Sequence, residues 1–136
     1  MGYRSDVRII VSKKGYDKLC EYVKTHALEY AKPDYDYNLL NHANITYSKV
    51  WDGQQVMIGW DSIKWYEYGD GYEDVKIIMN GLNYLKDENF SYRYARLGEN
   101  YDDWEEFYNE GKLDGEDGND LQWIYLERYI DDEVFE

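Results

Sequence analysis

Asp52-Gly53 separates two runs, Ile45–Trp51 and Gln54–Trp60, that are rich in β-branched and aromatic residues. An Asp-Gly pair between such runs is a strong short-range hairpin signal, because a type I′ turn needs positive φ at both central positions. A two-residue turn also fixes register. It sets Trp51 opposite Gln54, Lys49 opposite Val56, Tyr47 opposite Ile58 and Ile45 opposite Trp60. Ile45, Tyr47, Trp51, Val56, Ile58 and Trp60 then share one face. An antiparallel pair with one apolar face has to be covered, so the rest of the chain is read for what covers it.

Before the hairpin, residues 3–12 alternate around Val7, Ile9 and Val11 as a strand. Ser12 is placed to cap the helix that follows. In that helix Tyr16, Leu19, Cys20, Val23, Ala27, Tyr30 and Ala31 form one apolar stripe, with Lys14, Asp17, Lys18, Glu21 and Lys24 outward. Pro33 marks its end, and residues 34–43 read as a polar loop or a short turn of helix. After Gly69-Asp70-Gly71, a second helix over about 72–86 carries Val75, Ile78, Met79, Leu82 and Leu85 inward. Its acidic start suits the helix dipole, and Gly81 weakens it slightly. Residues 89–97 alternate as a strand, 102–110 read as a short acidic helix, and Leu121–Ile130 reads as a last strand. The expectation is one α+β domain over 1–136. Its antiparallel sheet has helices on one face, with a ferredoxin-like β-α-β-β-α-β core followed by a short acidic helix and a C-terminal strand.

Charge is needed to go further. Leu, Ile, Val and Phe number only 29 of 136 residues and the net charge is -14, close to a disordered composition. Seventeen Tyr, five Trp and three Phe argue for a packed chain instead. Residues 1–98 are near neutral, with 13 basic and 14 acidic side chains. Residues 99–136 hold 15 acidic side chains against Lys112 and Arg128. Such a field repels nucleic acid and anionic lipid, and attracts basic protein surfaces or cations. The single cysteine, Cys20, fits a reducing compartment. The opening residues carry no apolar run of a secretory signal and nothing reaches the length of a membrane span. The expected location is cytoplasmic.

Recognisable chemistry is sparse. His26, on the solvent side of the first helix, and His42, in a loop, lack metal-ligand spacing. Cys20 on the apolar stripe is expected to be inert. The run Asp114-Gly115-Glu116-Asp117-Gly118-Asn119-Asp120 fails the calcium-loop pattern, which needs Gly at its sixth place and Glu at its twelfth; here those are Asn119 and Tyr125. The paired carboxylates lie in exposed acidic runs, not in the contrasting environments that acid–base catalysis needs. No catalytic residue, metal or cofactor is expected. On a helix, Trp104, Phe107 and Tyr108 make an apolar edge beside Asp102, Asp103, Glu105, Glu106 and Glu110. Repulsion at the i,i+4 pairs Asp102–Glu106 and Glu106–Glu110 works against that helix. A carboxylate array retained despite such repulsion can stand in for nucleic-acid phosphates before an Arg/Lys-lined groove. The candidate partner-binding residues are Glu99, Tyr101, Asp102, Asp103, Trp104, Glu105, Glu106, Tyr108, Glu110, Asp114, Glu116, Asp117 and Asp120.

The opening Met1-Gly2-Tyr3-Arg4-Ser5-Asp6-Val7 resembles a group of small bacteriophage and prophage proteins. So do Trp60-Asp61-Ser62-Ile63-Lys64-Trp65-Tyr66 and the run from Leu97 to Glu106. The acidic stretch Tyr101–Glu110 is similar in kind to acidic segments of anti-CRISPR proteins that present a DNA-like surface to a nuclease. The resemblance implies a phage-type inhibitor of a basic host defence protein, such as an RNA-guided nuclease, acting in the bacterial cytoplasm without binding nucleic acid or membrane itself. Reversing Asp102, Asp103, Glu105 and Glu106 to Lys is expected to abolish inhibition without unfolding the domain. Three other readings stay open: an immunity protein or antitoxin against a toxin nuclease, a metal-dependent enzyme, and a phage structural component. Oligomeric state is not fixed by these residues.

Overall fold

The computed structural model describes residues 2–30, 35–50, 55–66 and 72–112, together with Leu121, Ile124 and Leu126; residues 45 and 47–50 are described by their backbone alone. Five strands and two helices occupy these segments. They run β1 (Ser5–Ser12), α1 (Lys13–Ala27), β2 (Ile45–Val50), β3 (Gln55–Ile63), α2 (Glu73–Asp87), β4 (Tyr92–Gly98) and β5 (Trp104–Asn109). Short 3₁₀ turns lie at Leu28–Tyr30 and Leu39–His42. The strands form one sheet in the order β2-β3-β1-β4-β5, with every neighbouring pair antiparallel. The fold is therefore α+β.

Period-2 alternation builds the sheet's covered face. Ile9 lies between Ile58 on β3 and Tyr94 on β4, and Val11 between Val56 and Tyr92. These residues, with Val7 and Trp60, pack beneath Leu19, Val23 and Ala27 of α1 and Val75, Ile78, Leu82 and Leu85 of α2. Burial of this apolar surface is the main favourable term in folding. Ser12 caps α1 as its sequence requires: its Oγ accepts from the Gly15 N–H at 3.0 Å. The two helices touch through Tyr22 and Tyr84, stacked with centroids 5.0 Å apart. Gly81 is more than a weak helix former, because a Cβ there would come within 2.7 Å of Leu19 Cδ1. Its missing side chain lets the helices approach.

The C-terminus of α2 closes on Asn89, whose φ is 64°. Phe90 N–H donates to Leu85 O at 2.8 Å and Asn89 N–H to Lys86 O at 3.1 Å, a Schellman cap. Asn tolerates this left-handed position better than other non-glycine residues. Asn89→Ala is expected to lower stability by about 1 kcal/mol and Asn89→Gly to leave it equal or higher, read from urea midpoints.

Two expectations change, and a third falls mostly outside the described residues. The hairpin strands pair as foreseen, but not in the foreseen register throughout. Val50 opposes Gln55, which agrees with a two-residue turn, and then the register shifts between Tyr47 and Val50. Beyond the shift Tyr47 opposes Met57 and Ile45 opposes Gly59. With this one-residue irregularity, the foreseen pairs Tyr47–Ile58 and Ile45–Trp60 do not form. The turn residues Asp52-Gly53 lie outside the described residues. The second change is larger: the segment read as an acidic helix over 102–110 is strand β5. Trp104, Phe107 and Tyr108 favour a strand, and like charges four residues apart, neighbours on a helix, are spread to roughly 13 Å along an extended chain. Third, the expected last strand, Leu121–Ile130, falls mostly outside the described residues. Leu121 is buried, Ile124 and Leu126 are half-buried, and none of the three is in a strand.

Candidate functional site

The turn from β4 into β5 is held by the N-terminal residues and by one arginine. Gly98 N–H donates to Asp103 O at 2.8 Å, and Asp103 N–H to Asn100 O at 3.0 Å. Arg4 N–H donates to Glu99 Oε2 at 2.8 Å, and Asn100 N–H to Tyr3 Oη at 2.9 Å. The Tyr3 hydroxyl in turn donates to Asp103 Oδ2 at 2.5 Å. Gly98 lies directly beneath this contact: a Cβ there would collide with both the Asp103 carboxylate and the Tyr3 hydroxyl.

Arg96 gathers two of the candidate carboxylates. Its Nη1 and Nη2 donate to the Asp103 oxygens at 3.1 and 2.8 Å, the two-pronged geometry that suits guanidinium and carboxylate. Its Nε donates to Glu105 Oε1 at 3.0 Å, and Nη1 also reaches Ser5 Oγ at 3.0 Å. Tyr94 donates its hydroxyl to the same Glu105 oxygen at 2.9 Å. The Arg96 side chain is 14% exposed, against 32% for Asp103 and 25% for Glu105. Further along, Glu110 lies 3.4 Å from the buried guanidinium of Arg93, which also sits 5.7 Å over the Tyr108 ring. Burial pulls the Arg93 pKa down, while Glu110 and Tyr108 pull it back.

The candidate residues thus divide. Asp103 and Glu105 are half-buried and held by Arg96, Glu99 and Glu110 are exposed but each bonds within the chain, and Asp102 and Glu106 are exposed. Register explains the difference: Glu105 lies opposite Arg96, but Glu106 lies opposite Ala95. Around these carboxylates stand Tyr101, 76% exposed, Trp104 at 56% and Tyr108 at 61%. Phe107, absent from the expected set, is 47% exposed and stacks on Tyr94 with centroids 5.5 Å apart. Its signal was the apolar edge it makes with Trp104 and Tyr108, which the sequence places beside the carboxylates. Asp114, Glu116, Asp117 and Asp120 lie outside the described residues. Among those described, β5 is an edge strand that carries exposed aromatic surface.

Elsewhere the candidate chemistry stays quiet. Burial pushes the Cys20 thiol up, away from its reactive form. The neighbouring Tyr16 hydroxyl is pushed up to about 12, first by burial and then by its hydrogen bond to Cys20. His26 lies against the Tyr22 ring at 4.0 Å, and His42 Nε2 is 3.5 Å from Asp36. Among the described residues no group of three or more His, Cys, Asp or Glu could hold a metal, and no helix is long and apolar enough to cross a membrane. Comparison with protein-family models, with curated proteins and with solved structures gives no match.

Proposed function

We propose that this chain is an inhibitor-type binding protein that docks on a basic protein surface through the β5 edge and the turn before it. Trp104, Phe107 and Tyr101 act as aromatic anchors, and Asp102 and Glu106 present negative charge. The observation that carries the reading is the contrast within one short strand. Asp103 and Glu105 are fixed by Arg96, while Glu106 and Asp102 stand exposed beside large aromatic rings. Exposed aromatic residues with a few charges at their rim are the composition of an interface centre. The strongly acidic last third adds a long-range field that draws a basic partner. In this reading the acidic surface takes the place of nucleic-acid phosphates. The target class is a nucleic-acid-binding defence protein such as an RNA-guided nuclease, met in the bacterial cytoplasm as the phage-protein resemblance implies. A ferredoxin-like core with β5 added beyond β4 goes with it, supported by the order β2-β3-β1-β4 and its antiparallel pairs.

The test separates exposed from engaged carboxylates. Asp102→Lys with Glu106→Lys is expected to weaken binding to a basic nuclease about 100-fold, roughly tenfold per reversed charge, with the thermal midpoint unchanged. Wild-type binding should fall steeply as salt rises from 50 to 300 mM, and duplex DNA should displace the protein. Binding that survives the double reversal and is insensitive to salt would refute the acidic-surface reading. The fourfold reversal that includes Asp103 and Glu105 is no longer a clean test, because it sets two lysines against Arg96.

A further inference from the structure

We infer that β5 takes its partner by strand addition, and that the added strand is an extended segment of a basic protein in which apolar residues alternate with Lys or Arg. The inference rests on the binding reading above and specifies its mode.

Three observations lead to it. First, the sheet extends past its helices. Between α2 and β5 runs an open groove of about 420 Å3, with Met79, Leu82 and Lys86 on the helix side and Tyr92 and Phe107 on the sheet side. Second, the ladder fixes which peptide groups face outward. The Gly98 N–H to Asp103 O bond makes that pair a hydrogen-bonded one. By the alternation of an antiparallel ladder, Glu105 and Phe107 direct their peptide groups at β4. Those of Trp104 and Glu106 point away from β4, where no strand lies among the described residues. Third, charge sorts the two faces of an incoming strand. On the helix-free face Glu106 has Ala95 as its cross-strand neighbour, and Arg93, diagonal to it, is taken up by Glu110 and the Tyr108 ring, which leaves the outer side for a cation. On the helix-side face the groove carries Lys86 as well as Glu106, so its net charge does not favour a basic residue, while Leu82, Met79 and Phe107 offer apolar contact. A strand alternating apolar and basic residues satisfies both faces at once. Main-chain pairing supplies affinity and the alternate side chains supply specificity, as in other strand-addition complexes. A second copy of this chain fits poorly, since a two-fold β5–β5 pair brings Glu106 near its own equivalent at a net charge of -14 per chain.

The test uses the full chain and three synthetic peptides of roughly eight residues, the length of an ordinary strand. One alternates Val and Lys. The second has the same composition with the Lys residues in a block. The third is the alternating peptide N-methylated at every second amide. The alternating peptide should bind about tenfold or more tighter than either control and slow hydrogen exchange at the Trp104 and Glu106 amides. Glu106→Lys should lose that peptide and gain one alternating Val and Glu. Equal binding of all three peptides without amide protection overturns strand addition while leaving a basic partner in place. Failure of every peptide while a basic nuclease is still retained shows that the occupant is not a strand and overturns the inference alone. Failure of the nuclease as well removes the binding reading beneath it. Concentration-dependent self-association with protection of the same amides would assign the edge to a second copy and also overturn the inference.

Discussion

Arg96→Ala should lower stability by about 3 kcal/mol, enough to shift the thermal midpoint of a chain this size by roughly 10 °C. The cause is what it leaves behind. Asp103 and Glu105 are about two-thirds buried or more, and both face the site Arg96 fills. Removing one partner of such a cluster costs more than the cluster contributes, because the remaining charges stay desolvated. A second set of variants isolates this term. Arg96→Met keeps the aliphatic stem, and adding Asp103→Asn and Glu105→Gln removes the stranded charges, so the triple variant should recover more than half of the loss. Urea unfolding of the three proteins measures it. A loss under 1 kcal/mol for Arg96→Ala would mean that solvent screens the cluster as it does exposed pairs.

Trp60→Ala should be as damaging, about 4 kcal/mol, because it opens a large cavity among Val7, Trp65 and the helices. The ring is 1% exposed, opposes Val7 and packs 5.3 Å from Trp65. The milder Trp60→Phe is more informative. Trp60 Nε1 donates to Leu39 O at 3.0 Å, and this bond ties the 35–43 segment to the sheet. Phenylalanine keeps most of the apolar area but removes that hydrogen bond, at about 1 kcal/mol. Faster amide exchange at Leu40 and Asn41, with little change in β1, would locate the effect in that segment. Unchanged exchange there would place the tie elsewhere.

The helices and the central strands were legible because their determinants are local. Ser12 announces α1, the stripe Val75–Ile78–Leu82–Leu85 announces α2, and the alternation around Ile9 announces β1. What escaped depended on partners distant in sequence. Trp104, Phe107 and Tyr108 satisfy helical spacing, but an alternating reading fits them as well. The deciding contact is Arg96, which holds Asp103 and Glu105 only when both segments are strands. The repulsion noted for the helical reading was the available clue, together with β-prone aromatic residues. In the hairpin the turn gave the correct pairing near Val50 and Gln55, while the shift before it is not encoded by any Gly or Pro. The candidate residues were therefore legible as a segment but not as a surface: sequence composition counts carboxylates, whereas the register decides which of them point at an arginine.

Gly98 turns that distinction into something adjustable. With hydrogen as its side chain it leaves room for the Asp103 carboxylate to fold under the turn, against Tyr3 and Arg96. A methyl group at position 98 would evict that carboxylate into solvent, release Arg96 from half of its clamp and enlarge the negative surface beside Trp104, although the formal charge of the chain would not change. The electrical face this protein shows to its surroundings is thus governed, at this edge, by a residue that carries neither charge nor side chain.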